Sequence, residues 1–313
     1  MVNRILIRIK VVQIVYSYLV NKDKSIDTSE KELFFSLEKA YELYHRLLLL
    51  MIELTDAQNK RIENARFKYT ATAADKNPDT RLINNRFIAQ LRENKMLKEY
   101  VDRQSVSWVN EPDFIRILLD RLLASDLYKT YLTSEEDSYA VDQDFWKKAF
   151  KHIIVENEDL SEILEAQSLY WNDDLETIST FVLKTIKRFD QSKGAEQELL
   201  PMFKDDEDAE FAKMLFRKTL MNVDVNKALI DQHTKNWEID RVAFMDIVIM
   251  LVAIAEIKSF PTIPVKVTLK NALLMSIRHL PYTILMIAIT ATFVFITFFD
   301  YFSLAYGLFI WLV

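Results

Sequence analysis

The sequence predicts an all-α protein, and three observations carry that expectation. The chain has 2 glycines, Gly194 and Gly307, among its 313 residues, whereas tight turns between strands need positive φ and draw on glycine for it. Half of the residues are apolar, enough to fill a sizeable core. The stretch from Ser29 to about Asn64 repeats Leu33, Leu37, Ala40, Tyr41, Tyr44, Leu47, Leu48, Met51 and Ile52 at spacings of three and four, which is a one-sided helical stripe.

The same composition narrows the chemistry. Without cysteine there is no disulfide, no thiolate nucleophile and no cysteine metal site. The four histidines, His45, His152, His233 and His279, are scattered, with no second histidine at i+4 of any, against a histidine metal site. No glycine-rich loop is present to cradle phosphates. No acid/base pair or nucleophile constellation stands out, so neither catalysis, a cofactor nor a metal is expected. The net charge of −6 is uneven. Arg4, Arg8 and Lys10 precede the first acid, Asp23, while acids outnumber bases more than two to one between Tyr131 and Glu210. A polyanion would meet the amino-terminal end and not the middle.

The first twenty residues carry basic residues ahead of an apolar run, but Gln13, Tyr16, Ser17 and Tyr18 interrupt it and no small-residue cleavage site follows. They read as a helix. Its polar stripe is Asn3, Lys10, Gln13, Ser17 and Asn21, and its apolar side includes Val11, Val12, Val15 and Leu19. Arg4 and Arg8 project over that apolar side. Either the first two turns extend beyond the bundle and leave both arginines free, or both pair with buried carboxylates.

The next helix opens at Ser29, whose spacing to Glu32 is that of a capping box. Phe34 and Phe35 fall at core spacing rather than forming a stacking platform. Asn77-Pro78 marks a loop, and helices follow over Leu82 to Tyr100, Pro112 to Leu132, and Asp142 to Val155. Asn172-Asp173-Asp174 caps another through Phe189, and Gly194 lies in the connector beyond it. The run Asp205-Asp206-Glu207-Asp208 reads as a helix start, where four carboxylates face the positive end of the dipole without a metal. Asp240 caps a last body helix from Val242 to Ile257, whose only charges are Asp246 and Glu256. A helix apolar nearly all round belongs at the centre of a bundle, and Phe260-Pro261-Thr262-Ile263-Pro264 ends it.

The order of those last residues says more than their composition. Trp237, then Asp240-Arg241, then an apolar helix ending Ala255-Glu256-Ile257, then Ile263-Pro264-Val265 resembles the NusB family of transcription antitermination factors. At the other end, Arg4 with Ile7-Arg8-Ile9-Lys10-Val11-Val12-Gln13-Ile14-Val15-Tyr16 is similar to that family's first helix, with isoleucine at Ile7 in place of its alanine and a thinner arginine cluster. The resemblance implies all-α bundles of NusB type and a cytoplasmic, non-catalytic protein. It implies binding of a short single-stranded boxA-like RNA through Arg4, Arg8, Gln13 and Tyr16, with the ribosomal protein NusE and the elongation complex as partners. It divides the chain into NusB-like helices at 1–69, a helical acidic insertion at 70–204 like that of extended members, NusB-like helices at 205–269, and an apolar tail at 270–313.

The tail departs from the family pattern. After about Leu269 the Phe-Val-Asn-Gly segment is missing, and Leu269 to Leu285 is weakly similar to the YesL-like (DUF624) membrane proteins. Residues 281–299 carry no charge, and at about 1.5 Å per residue they reach roughly 28 Å, a bilayer core. Arg278 and His279 just before them would keep the body in the cytoplasm. A second apolar run, Tyr301 to Val313, looks like a crossing begun and cut off. Three readings stand: a membrane-anchored variant, a chimeric or frameshifted join, or a very apolar core helix. The rival functions are accordingly a membrane protein whose job lies in the tail, and a helical scaffold.

Overall fold

In a computed structural model of the chain, residues 1–21, 25–171, 173–233 and 242–260 are described. Among them are thirteen α-helices and no strand. The candidate span 281–299 and the residues Trp237, Asp240, Arg241 and Ile263 to Val265 lie outside the described residues. No helix among the described residues is long and apolar enough to cross a membrane.

The spine is α2 (Ile26–Arg66), 41 residues long, or about 60 Å at 1.5 Å per residue. Its stripe is buried as the spacing predicts, with Leu33, Leu37, Ala40, Tyr44, Leu47, Leu48 and Met51 at 0% exposure. Its start differs. Ser25 is the N-cap and accepts from Thr28 N at 3.1 Å, which adds a turn ahead of Ser29. Ser29 is buried inside the helix, and its hydroxyl has no hydrogen-bond partner. The expected cap at Ser29 is thus replaced by Ser25, one turn earlier.

Helices α1 (Arg4–Val20), α10 (Leu175–Arg188) and α11 (Asp206–Met221) pack on α2, as do α4 (Arg86–Glu93) and α6 (Pro112–Ala124). Residues 1–252 form one compact unit. The helices between residues 70 and 204 therefore share a core with the first two helices.

Several expected helices are pairs. Leu82 to Tyr100 is α4 followed by α5 (Lys95–Gln104), with Asn94 between them. Asn94 is fully buried; its Oδ1 accepts from Leu97 N at 3.0 Å and its Nδ2 donates to Gln197 O at 2.6 Å. The side chain offers the backbone an alternative to the helical ladder, and the helix restarts there. Ser125 divides α6 from α7 (Asp126–Thr133) in the same way, accepting from Tyr128 N at 3.1 Å and donating to Leu122 O at 2.6 Å. After a loop, α8 (Tyr139–Ala149) runs into a π-helical turn, Phe150–Ile154, closed by Val155 N to Phe150 O at 3.0 Å. Helix α9 (Glu158–Gln167) follows. Gly194 takes φ +51° inside the 3-10 segment Gln191–Glu196, a left-handed conformation that favours glycine.

The last described elements are α12 (Val223–His233) and α13 (Phe244–Ser259). Helix α13 begins two residues after the expected Val242, and it is not buried all round. Ile247, Val248, Leu251 and Val252 face the core, whereas Phe244, Met245 and Ile249 are exposed. Apolar composition told that this helix has a core face; it could not tell how many neighbours cover it.

Candidate nucleic-acid interface

The four candidate residues all lie on α1, and the helical repeat decides which can act together. The buried side of α1 is Leu6, Ile7, Lys10, Val11, Ile14 and Val15. At about 100° per residue, Arg4 and Arg8 fall on one flank of that side and Gln13 on the other. Tyr16 lies near the middle of the outward face with Ile5, which is 61% exposed, and Ile9. The structure groups Arg4 with Arg8. It separates both from Gln13 by an apolar strip of Ile5 and Ile9, in which Tyr16 lies.

The beginning of α1 is docked, not projecting. Met1, Val2, Leu6 and Ile7 are buried, and Val2 N donates to Met202 O at 2.6 Å. Of the two alternatives for the arginines, free or paired, Arg4 follows the second: its Nε lies 3.7 Å from Asp208 Oδ1. Both guanidinium groups also sit over the ring of Phe211, at 4.9 Å for Arg4 and 5.7 Å for Arg8, a cation–π arrangement. The acid run Asp205 to Asp208 thus meets the one end of the chain that is acid-free in sequence. Asp205 caps α11 by accepting from Asp208 N at 3.2 Å, which leaves the Asp208 carboxylate to face Arg4. Among the described residues no three acids or histidines are gathered to hold a metal ion.

Tyr16 is half-buried, with its ring 5.3 Å from that of Phe244. A base could stack here only on the remaining face of the Tyr16 ring. Phe35, by contrast, is 44% exposed and edge-on to Tyr170 at 5.2 Å, so it is not the core residue its spacing suggested.

Lys10 is the clearest departure from the sequence reading. It was expected in the polar stripe, yet it is 1% exposed. Its Nζ lies 2.7 Å from Asp174 Oδ2 and donates to Tyr170 O at 2.9 Å. A buried ammonium is tolerated only with such partners. Asp174 holds the N-cap position of α10 without making a side-chain cap bond; the expected cap is spent on Lys10. Burial outweighs the attraction of Lys10 and pushes the Asp174 carboxyl above its usual range.

Three cations escaped the sequence reading: Lys184, Lys187 and Arg188, all exposed on the last turns of α10. The available signal was the acid-free stretch between Glu176 and Asp190, set inside the most acidic part of the chain. Lys184 and Arg188 lie close enough to the Met1 amino group to act on it electrostatically; burial first, and then these two charges, lower it to about 6 against the opposing pull of Asp208.

Comparison with known proteins bears on the carboxy-terminal part. Residues 180–276 match the NusB family. Over 104 residues the chain is 34% identical to the transcription antitermination protein NusB of Salinibacter ruber (strain DSM 13855 / M31), an overlap of 31% of this chain and 65% of that protein. The chain thus spans a little under two thirds of the length of this curated relative. No solved structure gives a significant match. The family match lies outside the part of α1 that carries Arg4, Arg8, Gln13 and Tyr16. The chain contains a NusB-like domain at residues 180–276.

Proposed function

We propose that this protein is an RNA-binding transcription antitermination factor of NusB type, acting in the cytoplasm without catalysis. The NusB-like domain at residues 180–276 is the observation that carries the reading. The ligand is single-stranded boxA-like RNA, bound together with NusE, to promote read-through in ribosomal RNA operons. Arg4 and Arg8 take phosphates at the start of α1, each contact releasing counterions and making affinity salt-dependent. Gln13 hydrogen-bonds a base edge from the far side of the apolar strip, and Tyr16 stacks on a base within it. The Arg4–Asp208 pair, at 3.7 Å, competes with RNA for the Arg4 charge.

The test is fluorescence anisotropy of a labelled boxA-like oligonucleotide and a scrambled one against the full chain, with and without NusE. Preference for the boxA-like strand, strengthened by NusE, is expected. Equal affinity for both strands, or none, overturns the proposal. The uncharged run 281–299 favours a second reading, a helical body anchored to a membrane by its tail; fractionation separates the two.

A further inference from the structure

Lys184, Lys187 and Arg188 stand on one face of α10. At about 100° per residue they occupy an arc of roughly 100°, opposite the buried Ile178, Val182, Thr185 and Ile186. None of the three makes an ion pair among the described residues. The nearest acid in sequence, Asp190, is turned away, its Oδ1 accepting from Ser192 N at 2.9 Å and Ser192 Oγ at 2.8 Å. Some exposed cations elsewhere are paired: Lys95 with Glu196, Lys98 with Glu93, Lys129 with Asp126. Like charges at i and i+4, as in Lys184 and Arg188, are mildly unfavourable on a helix. Closeness to the helix C-terminus offsets that only for the last turn.

The fold places this face beside the start of α1. Lys10 on α1 meets Asp174 at the first end of α10. At the other end the Met1 amino group feels Lys184 and Arg188. Between them runs a bonded path: Thr185 Oγ1 to Tyr44 Oη at 2.7 Å, Tyr44 Oη to Leu200 N at 3.3 Å, and Met202 O to Val2 N at 2.6 Å. Helices α1 and α10 are therefore antiparallel, and Arg4, Arg8 and the three cations of α10 gather at the same end of the molecule. Unlike Arg4, the three have no carboxylate to displace among the described residues. They also lie within the NusB-like residues 180–276.

We propose that this face of α10 is a second phosphate-binding stretch: a single-stranded RNA held at the start of α1 continues over Lys184, Lys187 and Arg188, which take successive phosphates. The inference rests on the RNA-binding reading above and extends it to a surface inside a segment whose overall charge argues against it.

The experiment compares three forms of the full chain by anisotropy across a salt series, with labelled single-stranded RNAs of increasing length. They are the unaltered protein, Lys184→Gln/Lys187→Gln/Arg188→Gln, and a control, Lys95→Gln/Lys98→Gln/Lys129→Gln, that removes the same charge from paired positions. Thermal melts confirm that each is folded. The α10 variant should show a slope of log K against log salt shallower by about 2, roughly 0.7 for each phosphate lost on a single strand. It should also stop gaining affinity at a shorter RNA length, while the control keeps the original slope. If the unaltered protein binds RNA and the α10 variant matches it in slope and length dependence, the inference is wrong and the RNA reading stands. Equal slope losses in variant and control likewise overturn it, since net charge alone then acts. No RNA binding by the unaltered protein removes both.

Discussion

Lys10 and Asp174 form an ion pair at 2.7 Å with both side chains nearly closed to solvent, at 1% and 2% exposure. The pair joins the first helix to the cap of α10. Taking two charges out of water costs several kcal/mol each, and the pair returns that only when both partners are present. Lys10→Met should therefore destabilise the fold by about 3–5 kcal/mol near neutral pH. Asp174 already has a carboxyl pushed upward by burial, so in the folded state it binds a proton before its unfolded counterpart does. The stability linked to it is full below the ordinary carboxylate range and falls as pH rises through the raised value. The Lys10→Met defect should accordingly shrink as pH is lowered, measured by urea unfolding at two pH values. A defect that is small, or unchanged by pH, would show that the pair is not the joint described.

Arg4→Ala with Arg8→Ala should weaken RNA binding several-fold and make the salt slope shallower by about 1.4, at roughly 0.7 per phosphate. Helicity by circular dichroism should not change. Unaltered affinity at low salt would remove these residues from the interface.

Asp208→Asn should strengthen RNA binding. The Arg4–Asp208 contact is a partly exposed pair, worth about 0.2–1 kcal/mol, so releasing Arg4 should raise affinity by roughly 1.4- to fivefold. The N-cap bond of Asp205 uses the backbone of residue 208 and survives the change. Weaker binding in this variant would mean that Asp208 orients Arg4 and does not compete for it.

His45 is buried and its ring stacks on Tyr100 at 3.7 Å, with Nδ1 against Tyr41 O at 2.9 Å. Burial above all lowers its pKa to about 4. The unfolded chain takes up this proton first, so stability is full above the ordinary histidine value, about 6.5, and declines as pH falls toward about 4. The loss is on the order of 3 kcal/mol. Urea midpoints of the unaltered protein and His45→Gln should converge across that window; a constant gap between them would refute the assignment.

On the second reading, in which the tail is an anchor, the full chain partitions to membranes or aggregates. Residues 281–299 are uncharged, and Phe298, Phe299, Tyr301 and Phe302 surround the lone Asp300, a composition suited to a membrane interface. Carbonate extraction should leave the protein in the pellet. Recovery as a monodisperse species without detergent would show that the run is accommodated some other way.

The helical class was legible because it follows from what the chain lacks, glycine above all, and because the α2 stripe repeats over many turns. Boundaries were less so. Asn94 and Ser125 divide helices through bonds to Leu97 and Tyr128, and nothing in periodicity separates a polar residue that caps from one that faces water. Lys10 failed for a related reason: a helical wheel records polarity, while the partner that lets this lysine be buried lies far away in the sequence. The candidate site suffered in both directions. Arg4 was legible as a cation, but its pairing with Asp208 depends on how α11 returns to α1. The cations of α10 were masked by averaging charge over a long acidic segment, although the local stretch from Thr177 to Phe189 contains no acid.

The pairing of α1 with α11 has a consequence for synthesis on the ribosome. Helix α1 is complete at Val20, while α11 begins at Asp206. At about 5–20 residues per second, roughly ten to forty seconds pass before one wall of the groove around Leu6, Ile7 and Val11 exists. Chain length between contacting elements adds to closure entropy only logarithmically, so the finished protein is little weakened by the separation. The nascent chain is the vulnerable form. Its first helix must wait with the α11 side of its apolar face uncovered and a lysine whose counter-charge has yet to be translated.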